Sequence, residues 1–208
     1  MKIIYVMDPL CGWCYGNSQT ISQVYEQYNS DFEFDLLPGG MFAGRNAQVQ
    51  GRMAGYIRQH DRHIQTTTGA VFGEAYFTSL DNPALLLDSE PPSRAIVTVR
   101  TLWPDQLFPF AAQVQAARFQ RGKNLNEAET YADICQVLGL DKETFLSHFS
   151  SEEMKRLTQE TFRQAATYAH AYPTLLLENG RGVQLLASGY TPATTLMQKI
   201  NSINILSS

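Results

Sequence analysis

DPLCGWCYG, residues 8–16, holds two of the chain's three cysteines and lies where one kind of hydrophobic pattern gives way to another. Ahead of it, KIIYVMD (residues 2–8) is rich in β-formers and reads as a buried strand ending at Asp8 and Pro9. Behind it, Cys14, Ser18, Ile21, Val24, Tyr25 and Tyr28 recur at the spacing of one helix face, which predicts a helix from near Cys11 to about Asn29. In FEFDLLP (32–38), Phe32, Phe34 and Leu36 alternate before Pro38-Gly39-Gly40 ends the run, so it reads as a second strand. Strand, helix and strand make a βαβ unit with a right-handed crossover.

From about residue 41 to residue 171 no strand pattern stands out, and helix signals follow one another. PPSRAIVTVRTLW (91–103) offers prolines for a first turn and Ser93 as a cap, and DQLFPFAAQVQAARFQRG (105–122) closes at Gly122. Asn126 is expected to cap EAETYADICQVLG, with Gly139 just past its end, and Asp141 to cap KETFLSHF. Ser150 with Glu153 forms a capping-box pattern ahead of a helix reaching about His170. YPTLLLENG (172–180) and GVQLLAS (182–188) then read as a β-hairpin turning at Asn179-Gly180, with Arg181 as an extension of the turn, and Thr191-Pro192 opens a last helix. The expected class is α/β. Residues 1–40 and 171–208 form a βαβ…ββα domain, and residues 41–170 form a large all-helical insertion.

With 44% hydrophobic and 17% charged residues, 208 residues bury an ordinary core, and a net charge of −4 gives no electrostatic reason to expect nucleic acid or an anionic membrane as partner. Three cysteines are too few for a disulfide-stapled scaffold. Taken as the native start, MKIIYVMDP is too short in its apolar run for a secretory leader, and no run reaches the roughly 20 apolar residues of a membrane span. The expectation is a cytoplasmic protein, where a C-x-x-C pair is more often catalytic or metal-binding than structural.

Read as a redox pair, Cys11 sits at the N-terminus of the first helix, where free N–H groups and the helix dipole favour a thiolate. Cys14 lies one turn further along and points inward, giving an exposed nucleophile and a shielded resolving thiol, with Trp13 between them offering an apolar surface to substrate. A zinc site needs two more ligands. Cys135, His60, His63, His148 and His170 supply no second C-x-x-C or H-x₃₋₅-H, so no metal is expected. Two buried thiols packed as small hydrophobes are the remaining alternative, and the strand-to-helix placement weighs against it. Cys135, inside an apolar helix pattern, reads as a buried inert thiol.

Tyr172-Pro173-Thr174 opens the late hairpin. Most X-Pro bonds are trans, but the order of a C-x-x-C helix followed by a hairpin-opening proline raises the odds of cis, which turns the Tyr172 backbone toward a bound peptide. On DPLCGWCYG, GGMFAG (39–44) and this late proline, the chain resembles the DsbA family of the thioredoxin superfamily, in which a helical domain interrupts a thioredoxin fold. Within it, the similarity is to a cytosolic branch of predicted protein-disulfide isomerases related to the FrnE-like oxidoreductases. The resemblance implies a thiol–disulfide oxidoreductase with Cys11 as nucleophile, Cys14 as resolving thiol, and Pro173 as the cis-proline. Trp13, Tyr172 and Pro173 would contact substrate, and no cofactor beyond the sulfur pair is called for. Partners would be protein or small-molecule thiols and disulfides, with glutathione or a reductase to recycle the pair.

Three positions depart from the pattern. Tyr5 stands where many relatives carry a buried acid, so the Cys14 proton needs water, Asp8 or another group. The dipeptide between the cysteines is Gly-Trp and not the Pro-His of the periplasmic oxidant. Tyr172 is bulkier than the usual residue before the proline. A sister family, the kappa-class glutathione transferases and chromene-carboxylate isomerases, shares the architecture but carries a serine where Cys11 stands; it gives a glutathione-dependent transferase or isomerase as the alternative, alongside a non-catalytic binding module. GEAYFTS (73–79) and SEPPSRA (89–95) could line a glutathione pocket, though loop and helix start is the plainer reading. Asp8 either tunes Cys11 or caps the loop. His60, Asp61, Arg62 and His63 read as a solvated helix face, and Arg94 as a structural buried charge.

Overall fold

Strand β1 (Lys2–Met7) lies inside a four-stranded sheet of order β2-β1-β5-β6, in a computed structural model that describes residues 1–205. β2 (Glu33–Pro38) runs parallel to β1, with Tyr5 opposite Leu36 and Met7 opposite Pro38. On the other side β5 (Thr174–Asn179) is antiparallel, Tyr5 facing Leu175, and β6 (Gly182–Ser188) completes the hairpin across a two-residue turn. The alternation of side chains explains the two-sided burial of β1. Ile3, Tyr5 and Met7 enter a core shared with helix α2 (Ser18–Tyr28) and helix α10 (Ala193–Ile205), while Ile4 and Val6 meet Ala165 of helix α9 (Glu152–Tyr168) and Ala169 just past its end on the far face. Each fully buried aliphatic side chain here contributes on the order of 2 kcal/mol.

The sheet belongs to a thioredoxin fold, and residues between β2 and β5 form a largely helical insertion. Its helices are α3 (Ala54–Thr68), α4 (Glu74–Ser79), α5 (Glu90–Leu102), α6 (Leu107–Phe119), α7 (Ala128–Val137) and α8 (Lys142–Phe149), followed by α9. The insertion also contains a short ribbon, β3 (Gln48–Val49) paired with β4 (Leu86–Leu87), which two-residue strands leave invisible to periodicity.

Helix boundaries differ from expectation in four places. The helix after β1 breaks into α1 (Gly12–Gly16) and α2 around Asn17, where two poor helix formers adjoin. α5 begins at Glu90, because prolines at the first turn need no N–H partner, and Ser93 is buried inside it. α7 is preceded by Glu127, while the Asn126 amide donates to the Leu86 carbonyl instead of capping. Ser151, one residue later than expected, caps α9 by accepting from the Met154 N–H at 3.2 Å, and Ser150 closes α8 by donating to the Leu146 carbonyl. The Asp141 cap and the left-handed Gly139 match the sequence reading. Arg94 holds the insertion as a structural charge: it donates to the Phe149 carbonyl, pairs with Glu90, and lies 4.3 Å from the Phe149 ring centroid.

Candidate functional site

β1 delivers its end to Asp8, and a hydrogen bond from the Cys11 N–H to the Asp8 carbonyl turns the chain into α1. Cys11 is the N-cap of α1, with extended backbone, and its Sγ accepts the Cys14 N–H at 3.3 Å. A sulfur thereby takes the place an oxygen fills at most helix starts, facing the positive end of the helix. Both cysteines are free thiols. Cys14 is fully buried, as expected, and burial together with the neighbouring Cys11 sulfur pushes its thiol well above its ordinary pKa. Cys14 therefore holds its proton.

Cys11 differs from the exposed nucleophile that the sequence suggests. It is only 7% exposed, because α3 and the Tyr172 segment flank the turn. Access runs through a cavity of about 300 Å³ that Cys11 lines, between the C-x-x-C turn and the insertion. The Tyr172–Pro173 bond is cis, and the Tyr172 carbonyl oxygen lies 3.8 Å from Cys11 Sγ, within reach of its thiol. Trp13, the third expected contact, lines the same cavity; its indole N–H donates to His60 Nε2 at 3.1 Å and its ring meets His60 and His63 edge-on.

The glycines of the motif have a packing reason. A Cβ on Gly12 would stand 2.5 Å from Asp61 Oδ1, so α3 crosses directly over the start of α1. Tyr15, in the same motif, ties α1 to the insertion: it donates to the Val71 carbonyl at 2.6 Å, accepts from Gln120, and stacks on Phe119. GGMFAG is explained the same way. A Cβ on Gly39 would come within 2.1 Å of the Tyr172 ring, whose hydroxyl donates to the Gly39 carbonyl. The bulk of Tyr172 is thus laid on glycine. Gly39→Ala is expected to lower stability by about 2–3 kcal/mol in urea unfolding, the cost of overpacking against a ring held in place by its hydroxyl bond to the Gly39 carbonyl; a loss below half a kcal/mol would show that Tyr172 swings freely.

Asp8 is fully buried and gathers three segments. Its Oδ1 accepts from the Leu10 N–H and the Ser89 hydroxyl, each at 2.9 Å, and its Oδ2 accepts from the Met41 N–H at 2.6 Å. Burial raises its carboxyl above the usual range, against the pull of these donors. Ser89, from SEPPSRA, is consumed in this clamp. At the buried-acid position, the Tyr5 hydroxyl is pushed well above 10 by burial and by the two sulfurs, so it is no base at neutral pH. Asn17 lies near enough to ease that slightly, yet no hydrogen bond of acceptable geometry joins the two.

Three groups that sequence reasoning did not assign to the site line the cavity: His60, Asp61 and Arg118, with Tyr76 of GEAYFTS beside them. The HDRH run is not wholly a solvated face. Asp61 is 3% exposed, accepts the Tyr76 hydroxyl at 2.5 Å, and is raised above the usual carboxyl range by burial. Signals were present but weak: Asp61 shares a helix face with Ile57 and Ile64, a charge at an apolar position, and Arg118 follows two alanines four residues after Val114. Cys135 is buried, its thiol pushed up to about 11 by burial. Among the described residues no group of three or more His, Cys, Asp or Glu side chains is placed to hold a metal, and no helix is long and apolar enough to cross a membrane.

No protein-family model and no curated protein matches the chain. Solved structures do. A candidate protein disulfide isomerase from Nitrosomonas europaea superposes with a TM-score of 0.86 at 24% identity, covering 100% of this chain and 98% of that one. The cytosolic disulfide reductase DsbM from Pseudomonas aeruginosa gives 0.82 at 26% identity, covering 99% and 100%, and the same protein has been solved with glutathione. A 2-hydroxychromene-2-carboxylate isomerase shares the fold at 15% identity, with a TM-score of 0.63.

Proposed function

We propose that this DsbA-like chain is a thiol–disulfide oxidoreductase that works in the reducing direction, with Cys11 as nucleophile and Cys14 as resolving thiol. The observation that carries the reading is the cap: Cys11 Sγ faces the first turn of α1 and lines a cavity, while Cys14 behind it is buried and protonated. The Cys11 thiolate attacks one sulfur of a substrate disulfide, the substrate S–S bond breaks, and the leaving thiolate takes a proton from water. Cys14 then gives up its proton and attacks Cys11 Sγ, the second substrate thiolate departs, and the Cys11–Cys14 disulfide holds the oxidation. Two electrons have passed from the pair to the substrate. Two external thiols, for which we propose glutathione, return the pair to the dithiol.

Trp13 and the Tyr172–Pro173 backbone flank the incoming sulfur, and we assign them to substrate contact. The likeness to the Pseudomonas reductase supports the direction of electron flow, the use of glutathione and a cytoplasmic setting. Cys11 itself weighs against a transferase, whose serine would bind a thiolate without exchanging with it.

Cys14→Ser is the informative variant. With resolution blocked, a covalent adduct of substrate on Cys11 should accumulate, visible by mass spectrometry, and steady-state turnover should fall more than about tenfold. Turnover unchanged in Cys14→Ser, with no adduct, removes the two-cysteine mechanism. The reduction potential of the pair, set against a cytosolic poise of roughly −220 to −260 mV, checks the direction.

A further inference from the structure

Arg118 is the cation among the cavity's lining residues, and thiol–disulfide exchange leaves it, like Asp61, without a task. It comes from α6, is 3% exposed, and lines the same cavity as Cys11. Its guanidinium lies 5.2 Å from the Tyr76 ring centroid, and its Nη2 donates to Gln50 Oε1. Gln50 is neutral, and among the described residues Arg118 has no other hydrogen-bond partner and no ion-pair partner. Of the five N–H donors a guanidinium carries, one is used and the rest have no protein acceptor.

A cation this enclosed is disfavoured unless something compensates it. Asp61 acts on it only at a distance: Tyr76 stands between them, its hydroxyl on Asp61 and its ring under Arg118. The cavity thus holds a guanidinium fork and a separate carboxylate, with apolar walls from Met53, Ile57 and Phe119 and the Cys11 sulfur at one side. Its volume of about 300 Å³ is that of a small-molecule pocket. A planar fork with free donors matches a carboxylate, which it binds in two-point fashion.

We propose that Arg118 is the carboxylate-binding residue of this cavity, and that the disulfides and thiols it favours are low-molecular-weight ones bearing a carboxylate, in preference to neutral ones. The chemistry rests on the oxidoreductase reading above; the binding does not. Two measurements separate them. Isothermal titration with S-methylglutathione, which carries carboxylates but cannot exchange, should show binding to the wild-type protein and at least about tenfold weaker binding to Arg118→Met, with Arg118→Lys between them. In kinetics with dithiothreitol recycling the pair, because glutathione reducing oxidised glutathione gives no net reaction, the ratio of KM for oxidised glutathione to KM for bis(2-hydroxyethyl) disulfide should rise at least about tenfold in Arg118→Met.

Equal S-methylglutathione binding in wild type and Arg118→Met, or KM values that move together for both disulfides, would overturn the proposal. Methionine keeps the apolar volume of the arginine stem, and thermal unfolding establishes that the variant is folded. If it is not, Arg118→Lys serves alone, with a fork-dependent ligand losing affinity and an indifferent one not. Should the wild type bind S-methylglutathione through Arg118 yet reduce neither disulfide, the oxidoreductase reading falls and the carboxylate site stands.

Discussion

Cys11→Ser is expected to lower disulfide-reducing turnover by at least about a thousandfold while leaving the fold and its stability nearly intact. Serine is a favoured N-cap, and its hydroxyl can accept the Cys14 N–H that Cys11 Sγ accepts now. The start of α1 should therefore keep its shape, and thermal unfolding of the variant should shift by only a degree or two. The chemistry has no such substitute. A serine hydroxyl does not ionise at neutral pH in this setting, and the base-like groups around it are engaged: Tyr5 is held protonated, Asp8 is turned toward its own three donors, Asp61 accepts the Tyr76 hydroxyl, and His60 Nε2 accepts the Trp13 indole N–H. Cys14 cannot take over, because it is fully buried and burial opposes its ionisation. Insulin reduction by wild type and variant is the measurement. Rates within tenfold of each other, in a folded variant, would place the nucleophile elsewhere.

The contrast between Cys11 and His60–Asp61 shows what a sequence pattern can carry. Cys11, Trp13 and Cys14 lie within four residues of one turn, so spacing alone fixes their mutual geometry, and strand-to-helix placement says which end of the helix they occupy. The late proline is legible for a related reason: the hairpin it opens pairs β5 with β1, and β1 ends at the motif. The depth of Cys11 is not legible. It depends on α3 crossing Gly12, a contact between positions 49 residues apart that no local periodicity encodes. Asp61 and Arg118 fall in the same class. Each is a charge on an apolar helix face, beside Ile57 and Ile64 in one case and Ala111 and Val114 in the other, and only the docking of α3 and α6 against α1 makes that face a cavity wall. The β3–β4 ribbon was missed because two residues per strand are too few to alternate.

Asp8→Ala is expected to cost on the order of 3 kcal/mol in urea unfolding, the largest stability loss of any change near the site. The substitution leaves the Leu10 and Met41 N–H groups and the Ser89 hydroxyl, all on or beside buried backbone, without their acceptor. Ser89 in turn accepts the Phe42 N–H, so the loop after β2 and the start of α5 loosen together, and with them the Gly39 bed of Tyr172. Asp8→Asn isolates the charge. Oδ1 serves two donors and is best kept as the amide oxygen, which turns the amide nitrogen toward the Met41 N–H, donor against donor; a loss of roughly 1–2 kcal/mol follows. Because burial raises the Asp8 carboxyl in the folded chain above its unfolded value, the folded state binds the proton more tightly. Its contribution is therefore fully present below the ordinary carboxyl pKa and declines as pH rises through the raised one. The stability gap between wild type and Asp8→Asn should narrow from about pH 4 to pH 7. A gap that widens instead means that the three hydrogen bonds outweigh burial, and that Asp8 works as a carboxylate clamp whose pKa is depressed.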